Sequence, residues 1–199
     1  MNNIFKKILF ICTIFIFTQS IVADEKIEVK DKLLKKLNTI ITIVQDKDLV
    51  KSGRNNKIID LLTPTFDFEL MAKLSLGKKA WKNLNTEDKK IFTKLYVKRM
   101  ETSYSSKLDK YSNQTIEIKD MQQPKANRIY ILTDLVSDSQ KLEIIYKYYK
   151  PKNQKTDKNS WLIYDVEILG VSILKTDKAQ FKEFLQTNSI YDLMEIIYK

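Results

Sequence analysis

The chain has 199 residues, a formal net charge of +10, a single cysteine and no histidine. Histidine is the usual general base and the commonest metal ligand, so its absence excludes Ser-His and Cys-His catalysis and ordinary zinc sites. Beyond Cys12 the sequence has no thiol, which also excludes disulfides and a thiolate nucleophile there. Carboxylate and Ser-Lys chemistry stay open, and we predict no metal site and no resident cofactor.

The N-terminus predicts export. Two lysines precede an unbroken apolar stretch at residues 8–17, and Ala23 ends the segment before charged residues begin. This order is typical of a secretory signal peptide. The apolar stretch is too short for a membrane-spanning helix, which needs about 20 apolar residues. We therefore predict a signal peptide at residues 1–23, cleaved after export, and a single domain at residues 24–199. An uncleaved membrane anchor is the alternative.

The positive charge persists when the leader is removed. A basic surface attracts nucleic acid, anionic lipid headgroups or an acidic partner. Nucleic acid is not expected as a partner of an exported chain that shows no glycine-aromatic recognition motif. Because the lysines are spread evenly through an isoleucine- and asparagine-rich chain, a bias in base composition also accounts for them.

The first half of the mature chain predicts helices. Apolar residues recur at spacings of three and four over residues 27–49, and Gly53 is expected to break that helix. A short helix is predicted at residues 56–62. A third helix is predicted between Asp67, as its N-cap, and Gly77, as its stop.

A long helix follows, and then the period changes to two. Thr86 is the predicted cap of this helix, which ends near Tyr111. Alternation of apolar and polar residues then predicts four consecutive antiparallel strands, at residues 116–119, 127–136, 142–148 and 162–168.

Two helices close the chain in this reading. Asp177 with Gln180 and Ser189 with Asp192 both resemble capping boxes. The sum is an α+β fold, with helices packed on one face of a curved antiparallel sheet of four or slightly more strands. Such a fold encloses either a filled core or an apolar cavity, and periodicity leaves both open. Tyrosines on the predicted inner faces favour a cavity, because a pocket mouth supplies partners for their hydroxyls.

Three segments resemble the MlaC family, also called toluene-tolerance proteins, of periplasmic phospholipid-binding proteins. The first is FDFELMA at residues 66–72, with Leu76, Gly77 and Trp81 close behind; the second is the long helix entered through TED at 86–88; the third is WLIYDV at 161–166, followed by GVS at 170–172 and QF at 180–181. Their order and separation match the family over essentially the whole mature chain.

The resemblance implies a monomeric carrier that moves phospholipid as cargo through the periplasm and serves outer-membrane lipid asymmetry. It implies two partners: an inner-membrane ABC-type complex with an MCE-domain protein and an ATPase, and an outer-membrane lipoprotein–porin complex. Exposing two acyl chains of about fifteen methylenes each to water costs on the order of 20 kcal/mol, so such a carrier must offer an apolar cavity.

The predicted lipid-binding residues are the apolar positions on the facing surfaces of this fold. The helices are expected to contribute Met71, Leu74, Leu95, Tyr96 and Met100, and the inner sheet face Ile116, Ile118, Ile131, Leu142, Ile144, Tyr146, Tyr148, Tyr164 and Val166. Ordinary core packing is the alternative for each.

Two other classes of function stay open. One is an isomerase or hydratase on a cone-shaped α+β fold, with Asp165, Glu167 or Asp67 as acid or base. Its mark would be a carboxylate that points into the pocket, whereas the acids alternate to the outside of the predicted strands. The other is a chaperone-like envelope protein with a filled core, or a carrier for lipoproteins. We predict that the chain is not an enzyme.

Overall fold

A computed structural model describes residues 25–105, 114–137, 140–152 and 161–197. The predicted signal peptide lies outside these ranges, as does the region around Tyr111 where the long helix was expected to end. None of the helices in the described part of the chain is long and apolar enough to cross a membrane.

Seven helices and five strands form the described fold. Helix α1 covers residues 25–45, and the following helices are α2 (Lys51–Leu62), a 3-10 turn (Thr63–Thr65), α3 (Phe68–Leu76), α4 (Lys78–Asn83) and α5 (Thr86–Ser105). The strands are β1 (Thr115–Lys125), β2 (Arg128–Val136), β3 (Lys141–Tyr149), β4 (Leu162–Ile168) and β5 (Val171–Ser172), and α6 (Ile173–Phe184) and α7 (Ile190–Ile196) complete the chain.

The strands form one antiparallel sheet in the order β1-β2-β3-β4-β5, and the helices pack against it. The predicted α+β class is therefore confirmed. The fifth strand has two residues and pairs with the end of β4 as the chain turns through Gly170, whose positive φ of 79° suits glycine.

Several helix boundaries differ from the sequence predictions. Gly53 lies inside α2 and does not end α1, because the break falls in the turn at residues 46–50. Asn85 caps α5 through its side chain, which accepts from the amide of Asp88, so Thr86 is already the first helical residue. The short helix α4, unpredicted, begins directly after Gly77.

The two predicted capping boxes have different outcomes. Ser189 and Asp192 form the reciprocal pair at the start of α7, as predicted. The prediction for Asp177 is wrong, because α6 begins four residues earlier and Ser172 caps it. Asp177 is instead buried between helices, where it accepts hydrogen bonds from the Tyr96 hydroxyl at 2.9 Å and from Arg99 at 2.9 Å.

The inner face of the sheet is divided between a filled core and a cavity. The row that pairs Ile129 with Tyr148 is fully buried under the helices, and so is Ile163, the partner of Tyr148. Around this row, Phe92 and Phe181 pack edge to face between α5 and α6. The residue pairs nearer the start of β3, such as those of Leu142 and Ile144, line a cavity instead. The core and the cavity therefore share one sheet.

Candidate functional site

A cavity of about 270 Å³ lies between the first two helices and the sheet. Its helical wall combines one face of α1 with one face of α2. Those faces follow from the spacing of three and four that predicted an amphipathic helix. The residues that contribute are Leu37, Ile40, Ile41 and Val44 from α1 and Ile58, Ile59 and Leu62 from α2.

The opposite wall is the inner face of strands β1 to β4. Alternation along each strand turns every second side chain toward the helices. The side chains that reach the cavity are Ile116, Leu135, Leu142, Ile144, Tyr146, Val166 and Ile168. Both walls are therefore built from aliphatic and aromatic groups, which suit an apolar ligand.

The polar groups of this cavity are few. Thr133 lines it, but its hydroxyl donates to the carbonyl of Ile144 at 3.0 Å and is satisfied within the sheet. Burial raises the pKa of Tyr146, so its phenol is neutral at physiological pH. Glu101, from the last turn of α5, and Gln114, just before β1, also line the cavity. An apolar chain inside would meet almost no charge.

A second cavity of about 370 Å³ adjoins the first and shares Gln114, Leu135 and Leu142 with it. It lies at the end of the sheet where β1 begins, β2 ends and β3 begins. Gln140 and Lys141 line it, so this end is more polar than the first cavity. The Lys141 ammonium lies 2.7 Å from the buried carboxylate of Asp134, and this hydrogen bond raises the pKa of Lys141.

The structure places six of the fourteen predicted lipid-binding residues in the wall of the first cavity, between α1, α2 and the sheet: Met100, Ile116, Leu142, Ile144, Tyr146 and Val166. The other eight lie elsewhere. Met71, Tyr96, Ile131 and Tyr148 belong to the filled core, and Leu95 and Ile118 are partly buried against it. They do not line this cavity, because α3, α5 and α6 fill the space above that half of the sheet.

Leu74 and Tyr164 are the two clearest corrections. Leu74 is 37% exposed on the outer side of α3. Tyr164 lies on the outer face of the sheet, because a register shift between β3 and β4 leaves it without an opposite residue. Ile163 takes the inward place, while the Tyr164 hydroxyl lies 3.2 Å from that of Tyr130.

The main lining residues that the sequence argument missed are those of α1 and α2. The sequence does show the apolar stripe of α1, but that stripe was not predicted to line the cavity. Phe66 and Phe68 of the family-like segment also reach the cavity, and their rings stack with centroids 5.3 Å apart.

The carboxylates considered as catalytic groups point away from the cavity. Asp165 accepts from the Ser172 hydroxyl at 2.8 Å, the Leu174 amide at 3.1 Å and the Lys147 ammonium at 3.1 Å. Glu167 pairs with the same lysine. The third carboxylate, Asp67, caps α3 and accepts from the Tyr149 hydroxyl. These are structural contacts.

The described residues also contain no group of three His, Cys, Asp or Glu side chains that could hold a metal ion.

Comparisons with known proteins give the family and a solved structure of the same fold. A family model described as MlaC protein matches residues 34–199. A solved structure with the same fold is the phospholipid-binding protein of Ralstonia solanacearum in complex with a phospholipid. The two structures superpose with a TM-score of 0.71 at 17% sequence identity. The aligned region covers 84% of this chain and 93% of the Ralstonia solanacearum chain. No curated protein matches the sequence.

Proposed function

Because the chain belongs to the MlaC family, we propose that it is a periplasmic carrier that buries the acyl chains of a phospholipid and shuttles the lipid between membrane complexes. The family is periplasmic, and family and fold support a phospholipid-binding carrier. The observation that carries the proposal is the cavity between α1, α2 and the sheet, whose walls are almost entirely apolar.

The chemistry of the walls suits reversible carriage. Each methylene that leaves water for the cavity contributes about 0.8 kcal/mol, so packing alone supplies the affinity. Non-directional packing can be exchanged for the similar environment of a bilayer or of a partner's apolar surface. A site built on ion pairs would have to break them before release. The carrier therefore needs no chemical step of its own.

Loading a two-chain lipid requires the cavity to expand. Pockets for drug-sized ligands span about 300–1,000 Å³, and a phospholipid with two acyl chains is larger than such a ligand. The cavity of about 270 Å³ lies below that range. We expect α1 and α2 to move outward together, because the Lys36 ammonium of α1 donates to the Leu61 carbonyl of α2 at 3.0 Å.

Within this proposal, residues 1–23 direct export and are removed. Energy for directed transfer comes from the ATPase of the inner-membrane MCE-domain complex, and an outer-membrane lipoprotein–porin complex exchanges lipid at the other side. A reconstituted assay tests these partners: transfer of labelled phospholipid between vesicles that carry each complex should require this protein. Transfer at the same rate without it would refute the shuttle.

The first experiment is native mass spectrometry of the mature protein purified from the periplasm, followed by organic extraction and lipid identification. A bound mass of a two-chain phospholipid, lost on extraction, supports the proposal. A protein mass without lipid, together with no uptake from labelled vesicles, would refute it. A bound acylated protein would identify a lipoprotein carrier instead.

A further inference from the structure

Gln114 combines two features that set it apart from the other lining residues. It lines both cavities, so it stands where the apolar space meets the polar end of the sheet. Its amide oxygen is buried and has no hydrogen-bond partner in the part of the chain that the structure describes. A buried acceptor without a donor costs free energy. The expansion of the cavity proposed above for lipid loading would open this oxygen, and a ligand that supplies the donor would then be stabilised there.

The position of Gln114 along the sheet indicates which part of a lipid it meets. The rows of β2 and β3 from Ile131 to Leu135 lead from the filled core to the end of the sheet, and the aliphatic walls lie along these rows. Gln140 and Lys141 line the space beyond. Provided that the proposed function holds, acyl chains occupy the aliphatic part and the headgroup lies beside Gln114.

The unpaired group is an acceptor, and this restricts the headgroup chemistry. The ester and phosphodiester oxygens of a phospholipid only accept hydrogen bonds. Donors are found in the headgroup: the N–H groups of ethanolamine and the O–H groups of glycerol. The quaternary ammonium of choline has neither. Lys141 lines the same cavity, but its ammonium is paired with the Asp134 carboxylate at 2.7 Å, and it does not distinguish among headgroups that all carry a phosphate.

We propose that Gln114 accepts a hydrogen bond from the lipid headgroup, so that the protein prefers phospholipids with an ethanolamine or glycerol headgroup over those with choline. A hydrogen bond of this kind corresponds to a preference of about threefold to tenfold. The preference arises from one side chain. It adds to the larger binding free energy that burial of the acyl chains supplies.

Competition loading tests the inference. The delipidated full mature protein is offered vesicles with equal amounts of phosphatidylethanolamine, phosphatidylglycerol and phosphatidylcholine that carry identical acyl chains, and native mass spectrometry counts each bound lipid. Gln114→Leu removes the amide at similar size. Gln122→Leu is the matched control, since Gln122 lies on the outer face of β1, where its amide donates to Asp120 at 2.9 Å.

The wild type and the Gln122→Leu control should load the two donor-bearing lipids about threefold to tenfold above phosphatidylcholine. Gln114→Leu should load all three equally, with total loading and thermal stability retained because an unpaired polar atom has been replaced by carbon. Equal loading by the wild type, or a preference that survives Gln114→Leu, overturns the inference and leaves the carrier function standing. Absence of any loading would refute both.

Discussion

Replacing Ile144 by Phe should stabilise the lipid-free protein and weaken phospholipid binding at the same time. Ile144 lines the cavity from the centre of β3, and its side chain points at the α1–α2 wall. A phenylalanine at this position brings a few more carbon atoms into the cavity. The next residue, Ile145, faces the other side of the sheet, so Ile145→Phe is a control of equal size on the same strand.

The expected magnitudes follow from the cavity and from the transfer free energy of carbon. At about 0.8 kcal/mol per buried CH₂, the added ring atoms stabilise the lipid-free fold by about 1–2 kcal/mol. They exclude a similar length of acyl chain from the cavity of about 270 Å³. A loss of about 1–2 kcal/mol of binding free energy corresponds to an affinity that is about 5-fold to 30-fold weaker.

Two measurements check this pair of effects. Urea unfolding of the delipidated variants gives the change in unfolding free energy, and titration with vesicles that contain a fluorescent phospholipid gives the apparent affinity. Ile144→Phe should raise the unfolding free energy and lower the apparent affinity for phospholipid, while Ile145→Phe should leave that affinity unchanged. Wild-type affinity in Ile144→Phe would show that lipid does not occupy this cavity. A destabilised Ile144→Phe protein would show that the cavity cannot accept the ring.

Three further predictions concern the elements that hold the site in place. Asp165→Ala should lower the unfolding free energy in urea by about 2–3 kcal/mol, because three hydrogen bonds to a buried carboxylate are lost, and headgroup preference should not change; wild-type stability would contradict the assigned contacts. Gly77→Ala should lower the unfolding free energy by about 1–3 kcal/mol in the same assay, since Gly77 has φ 84° and ψ 155°. Gly53 lies inside α2, where alanine adopts the helical conformation without strain, so Gly53→Ala should raise the unfolding free energy by about 0.5–1 kcal/mol. Equal effects of the two substitutions would refute the argument from backbone conformation. The Ser189 hydroxyl lowers the pKa of Asp192, so the stability that this pair contributes is present above about pH 4 and is lost as the pH falls through the lowered pKa. Thermal unfolding from pH 2 to 7 should therefore show that Ser189→Ala destabilises the protein at neutral pH and that its difference from wild type shrinks in acid; a difference independent of pH would contradict the linkage.

The order and type of the main elements could be predicted from sequence because they depend on local periodicity. The helical stripe of α1, the cap and stop at Asp67 and Gly77, and the capping box at Ser189 all depend on residues within a few positions of one another. Alternation along β2 and β3 likewise defined two faces of the sheet. These local rules, taken together, sufficed for the α+β class and for an apolar inner surface.

The division of that surface into core and cavity was decided by tertiary packing. Ile131 and Ile144 both point inward, but one is covered by the filled core and the other faces open space, because different helices lie above them. Tyr164 changed face through a single register shift, since one unpaired residue reverses the alternation that follows from a strand's period of two. Sequence periodicity specifies which side chains turn inward. Which helices cover them, and where a gap remains, depends on contacts between residues far apart in the chain.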